Sequence, residues 1–132
     1  MLFRSEIYDL FDVSVFLRFI NSDIYEEMKN AFANNRLYRE RQFIITMPAD
    51  RIIKDGDKEP ILMQGIMDAY YEDDDGIVLI DYKSDIIKSM DELKDKYEIQ
   101  LDIYKYTLEK LYKKEVKAFI YSTRFGKCIE IS

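Results

Sequence analysis

Two apolar runs, residues 61–71 and 77–82, flank the acidic stretch Glu72-Asp73-Asp74-Asp75-Gly76. Apolar, β-branched runs separated by acidic residues and a glycine signal a β-hairpin. A hairpin constrains the fold tightly, because its register decides which residues share a face. Each run carries one aspartate at an otherwise apolar position: Asp68 after Gly65-Ile66-Met67, and Asp81 before Tyr82-Lys83. If Asp68 faces Asp81, then Glu72 faces Ile77, Asp73 faces Gly76, and Asp74-Asp75 form the tip. A slip of one residue would send the two aspartates to opposite faces. Lys83, two residues past Asp81, shares that aspartate's face. Carboxylates directly opposite one another repel, so this placement in a buried hairpin calls for a cation.

The rest of the chain reads as one domain built around that hairpin. Residues 12–34 carry Phe16, Phe19, Ile20, Ile24, Met28 and Phe32 at helical spacing, with Asp12 or Ser14 as caps. Residues 41–48 alternate as a strand, and 49–60 form a polar loop, with room for a short continuation through Ile52-Ile53. Residues 90–114 form the clearest helix. Tyr97, Leu101, Tyr104, Leu108 and Leu111 make its apolar stripe, and its terminal charges match the helix dipole. Residues 117–122 and 127–131 are two final strands. The order α-β-β-β-α-β-β predicts an α+β (mixed α/β) domain with a central sheet flanked by helices.

Composition removes several chemistries. The 132 residues include no histidine, which eliminates imidazole bases, Ser-His triads and zinc–histidine sites. A single cysteine, Cys128, permits neither an internal disulfide nor a self-contained Cys-ligated cluster. The net charge of −6 makes a poor stand-alone nucleic-acid binder, since phosphate neutralisation supplies most non-specific affinity. It does not disfavour a site in which clustered carboxylates hold a metal that reverses the local charge. The start of the chain lacks a basic region followed by a continuous apolar core, and no run reaches membrane-span length. A soluble, cytoplasmic protein is expected.

The hairpin supplies the parts for phosphodiester hydrolysis. That reaction needs a cation on the phosphate oxygens, a deprotonated water and a stabilised leaving group. Mg2+, with Mn2+ as a substitute, is hard and oxygen-seeking and is usually held by one or two carboxylates plus waters. Asp68 and Asp81 would be those carboxylates, and the backbone carbonyl of Tyr82 a third oxygen. Lys83 would orient or deprotonate the water, or neutralise charge in the transition state. Gln100 and Tyr104, four apart on one helix face, could hold a phosphate or a metal-bound water, or position Lys83. Glu40, between Arg39 and Arg41, opens the first strand and is a candidate outer acid.

Taken together, Gln64-Gly65-Ile66-Met67-Asp68, Asp81-Tyr82-Lys83-Ser84-Asp85 and Tyr97-Glu98-Ile99-Gln100-Leu101-Asp102-Ile103-Tyr104 resemble the RecB-type branch of the PD-(D/E)XK nuclease superfamily. Within it they look like the nuclease domain that ends one chain of AddAB-type helicase–nucleases. Arg39-Glu40-Arg41-Gln42-Phe43 is similar to the strand that precedes the hairpin there. The resemblance implies metal ligation by Asp68 and Asp81, catalysis by Lys83, and support from Gln100 and Tyr104. It also implies DNA cleavage during processing of double-strand breaks before recombination. The implied partners are DNA, a helicase part of the same longer polypeptide, and a second, AddB-like nuclease subunit. One departure stands out. That branch carries a histidine on the preceding helix, so here either the ligand lies upstream of Met1, or Glu26 or Glu27 takes its place, or the function is lost.

Blander roles compete with each of these. The aspartates could be edge-strand charges, Lys83 a surface ion-pair partner and Tyr104 a core tyrosine. The alternative function is a catalytically incomplete nuclease-fold domain that serves as a DNA- or protein-interaction module. The residues 73–75 lack the spacing and distal glutamate of a calcium loop.

Overall fold

The computed structural model describes residues 13–131. Two short helices, α1 (Val13–Ile20) and α2 (Asp23–Ala33), precede strand β1 (Leu37–Pro48) and a 3-10 turn (Ala49–Arg51). The hairpin strands β2 (Pro60–Asp73) and β3 (Gly76–Lys83) follow, then helix α3 (Met90–Tyr112) and strands β4 (Val116–Ser122) and β5 (Lys127–Ile131). The five strands form one sheet in chain order. Among the described strands only β3 and β4 run parallel, and α3 provides the crossover that a parallel pair requires. The predicted α+β class and central mixed sheet hold.

Helix α3 covers one face of the sheet, packing Leu93, Leu101, Tyr104 and Leu108 against Leu79, Ala118 and Ile120. On the other face, Met28 and Ala31 of α2 and Phe19 of α1 meet Val78, Ile80 and Tyr121. The central strand β3 is therefore buried on both sides, which explains why residues 77–80 read as an unbroken apolar run. That run ends in Asp81, which is also buried.

The expected single helix over 12–34 is two helices. The chain breaks at Asn21-Ser22, where the Ser22 hydroxyl accepts from Tyr25 N at 3.2 Å as the N-cap of α2. It also donates to Phe19 O at 2.6 Å, closing the end of α1. Of the two caps proposed from sequence, Asp12 lies outside the described residues and Ser14 lies within α1. Ser22→Ala is expected to destabilise the fold by about 1 kcal/mol, read as a lower urea midpoint at unchanged slope. Strand β1 begins at Leu37, earlier than residue 41, and Ile52-Ile53 do not extend it. Helix α3 stops at Tyr112 because Lys113 takes a left-handed conformation (φ 55°).

The hairpin register is the predicted one. Ala69 pairs with Ile80, Tyr71 with Val78, Glu72 with Ile77 and Asp73 with Gly76. Asp73 Oδ1 accepts from the backbone N–H groups of Asp75 (2.8 Å) and Gly76 (2.9 Å), fixing the turn. Gly76 has φ 147°, and a Cβ there would collide with the Glu115 carbonyl oxygen, so only glycine fits.

One rung of the β1–β2 ladder is missing. All residues of β1 pair with β2 except Glu40, whose partner would be Asp68, and Glu40 has φ 51°. On one side of this rung, Tyr38 and Tyr70 point toward α3; on the other side, Phe43, Ile45, Met63 and Met67 do. Alternation shifts by one on both strands at once, so the register survives while the sheet changes face. Consecutive residues Met67 and Asp68 are thereby both directed to the α3 side.

A candidate metal-dependent phosphodiesterase site

The C-terminal end of β3 and the facing turn of α3 carry a connected polar cluster. Lys83 Nζ lies 2.9 Å from Asp81 Oδ2. It donates to Gln100 Oε1 at 3.0 Å, and Gln100 Nε2 donates to the Tyr104 hydroxyl at 3.1 Å. An ammonium can only donate, so the Gln100 amide is oriented with its oxygen toward Lys83. On β2, Asp68 Oδ2 accepts from the backbone N–H of Tyr82 at 2.9 Å. The backbone of Lys83 is anchored in turn, its carbonyl accepting from Thr123 N at 3.0 Å. Phe43 lies over Gly65 and meets the Tyr104 ring edge-on at 5.3 Å, which braces Tyr104 from below.

Asp81 is 3% exposed. Its Oδ2 is ion-paired with the Lys83 ammonium at 2.9 Å, a contact that offsets part of the cost of burying the charge. Burial pushes the Asp81 carboxyl up to about 6; Lys83 opposes this, and the charge of Asp68 reinforces it. Burial, with Asp81 nearby, also raises the Tyr104 phenol.

The structure brings together Asp68, Asp81, Lys83, Gln100 and Tyr104. Tyr104 is at once a core residue and part of the polar chain. The Tyr82 side chain turns to the opposite face, where its hydroxyl donates to Met28 Sδ at 3.3 Å, so that residue can serve the site only through its backbone. Glu40 is exposed at the missing rung, Glu26 is exposed, and Glu27 accepts from the Tyr71 hydroxyl on the far side of the sheet. Among the described residues, no cysteine and no further aspartate or glutamate joins the two aspartates. Two residues escaped sequence reasoning. The Tyr97 ring lies under Lys83, and Asp85 accepts from the Tyr97 hydroxyl. The signal was the spacing of Tyr97, Gln100 and Tyr104, which share one helix face.

Magnesium fits this donor set. Asp68 and Asp81 offer hard carboxylate oxygens side by side, and one or two carboxylates with waters are the usual protein ligation of Mg2+. A zinc site of nitrogen and sulfur ligands does not fit, since none is at hand.

A mixed five-stranded sheet flanked by helices, with two aspartates and a lysine converging from a central hairpin, has the form of a PD-(D/E)XK-like core. No family model matches the chain. The A-type subunit of an ATP-dependent helicase/nuclease from Clostridium perfringens is 40% identical over 124 residues, taking in 87% of this chain and 10% of that protein. The protein of the same name from Clostridium perfringens strain SM101 is 38% identical over 124 residues, with the same coverage. One from Clostridium botulinum strain Loch Maree is 38% identical over 106 residues, covering 76% of this chain and 8% of its own length. The chain is a homologue of one segment of these A-type helicase/nuclease subunits, spanning about a tenth of their length. No helix among the described residues is long and apolar enough to cross a membrane.

Proposed function

We propose that this chain is a magnesium-dependent deoxyribonuclease domain of the AddA type, trimming DNA ends at double-strand breaks before recombination. The observation that supports the reading is the buried Asp81 carboxylate, ion-paired with the Lys83 ammonium at 2.9 Å and set beside Asp68. Asp68 and Asp81 would hold the metal, with the Tyr82 carbonyl as a further oxygen. Bound there, Mg2+ or Mn2+ would supply charge neutralisation at the phosphate and a more acidic water. Lys83, held by Asp81 and Gln100, presents its remaining hydrogen to the attacking water or a non-bridging oxygen. Gln100 keeps that ammonium from collapsing fully onto Asp81, and Tyr104 fixes the Gln100 amide. In this reading the helicase part of a longer polypeptide delivers the DNA strand, and an AddB-like partner cuts the other.

Thermal melting tests it. With about 5 mM Mg2+ or Mn2+, where weak sites fill, the wild type is expected to melt higher than in EDTA. Asp81→Ala should lose that rise, and the wild type should cleave single- or double-stranded DNA only with metal. Absence of both the rise and the cleavage would refute the reading.

A further inference from the structure

We propose that Tyr97 is a positioning residue that holds the Lys83 ammonium, with Asp85 as its anchor. Lys83 Nζ sits 4.0 Å from the centroid of the Tyr97 ring, close enough for a cation–π contact. The ring is fixed at its far end: the Tyr97 hydroxyl donates to Asp85 Oδ2 at 2.9 Å and lies 3.1 Å from Oδ1. Asp85 is itself held by Lys96, whose Nζ is 2.6 Å from Oδ2. The ammonium is thus met by a carboxylate oxygen, an amide oxygen and a π-face.

A lysine stem has four rotatable carbons, and a small displacement of a catalytic group lowers rate steeply. Asp81 and Gln100 alone leave the ammonium free to swing about the line between them. The ring closes that freedom. Because Asp85 lies in the connection between β3 and α3, the geometry of that connection reaches Lys83 through one hydroxyl and one ring. The catalytic consequence rests on the nuclease reading; the positional claim does not.

The test compares wild type, Tyr97→Phe and Tyr97→Leu, with Tyr97→Met as the second truncation should Leu fail to fold. In protein labelled with 13C-lysine, the Lys83 ε-methylene protons of the wild type are expected upfield of solvated lysines and inequivalent, a ring-current signature. Tyr97→Phe should keep that signature, and the truncations should erase it. Wild-type ε-protons at the position of solvated lysines would overturn the proposal, whatever the activity. With Mg2+ and a DNA duplex, Tyr97→Leu should lower kcat roughly 30-fold with KM within about twofold, and Tyr97→Phe should recover to within about threefold of wild type. A Tyr97→Leu enzyme with wild-type kcat also overturns it. If the wild type neither cleaves nor shows the metal-linked rise in Tm, the nuclease reading fails, and the ring-current comparison still decides whether Tyr97 holds Lys83.

Discussion

Asp81→Asn is expected to raise the melting temperature of the metal-free protein at pH 7 while removing metal-dependent cleavage. Asp81 faces Asp68, Lys83 and Tyr104, and burial outweighs Lys83 in setting its pKa near 6 against an ordinary 3.8. A carboxyl whose folded pKa is raised stabilises the fold fully below its unfolded pKa, and that contribution disappears as pH rises through the folded value. The wild-type protein without metal should therefore be most helped by this group below about pH 4 and lose that help as pH climbs through about 6. At pH 7 the charged form disfavours folding by up to about 3 kcal/mol, several degrees in Tm for a domain of this size. Asparagine keeps the shape and an acceptor for Lys83 without the buried charge. It cannot replace a carboxylate as a metal ligand, and cleavage should fall at least about a thousandfold, the scale of lost charge stabilisation at a transferring phosphoryl group. Melting curves from pH 4 to 8 in EDTA, with cleavage assays in Mg2+, check both halves. A variant that melts lower at pH 7 and cleaves like wild type would show that Asp81 is a structural charge.

The register that brings Asp68 beside Asp81 was legible in the sequence because strand side chains repeat every two residues and the turn admits glycine at one place. Gln100 was legible because it interrupts an apolar stripe. Other features depend on single dihedral choices or on distant partners. The break at Asn21-Ser22 is hidden because Phe19, Ile20, Ile24 and Met28 keep helical spacing across it. Ser22 also lacks the reciprocal glutamate three residues on, where Tyr25 stands. The change of face at the Glu40 rung follows from one left-handed residue, which no alternation pattern encodes. Glu40, read from sequence as a candidate outer acid or, more simply, a surface charge at the strand start, is exposed in the structure. Tyr97 sits on the apolar stripe and reads as a core aromatic. Its contact with Lys83 appears only when the parallel crossover lays α3 against the end of β3.

Lys83→Gln should separate metal binding from chemistry. The ammonium lies 2.9 Å from Asp81 Oδ2 and lowers that carboxyl's pKa, partly offsetting its burial. Without it, Asp81 keeps both oxygens and its place beside Asp68 but loses its one close cation. Its pKa should rise further, so more of the charged form's penalty remains at pH 7, and the metal-free variant should melt below wild type. Binding of Mg2+ relieves the same repulsion, so the metal-linked rise in Tm should be at least as large as in wild type. Cleavage should nonetheless fall by about 100- to 1,000-fold in kcat, the range for loss of a positioned proton-handling group. Asp81→Asn and Lys83→Gln would then be alike in activity and opposite in both melting responses: the first stabilised without metal and indifferent to it, the second destabilised without metal and rescued by it. No purely structural account of Lys83 yields that pair of results. A Lys83→Gln protein that cleaves within tenfold of wild type, or that has lost its response to Mg2+, would remove Lys83 from the catalytic role.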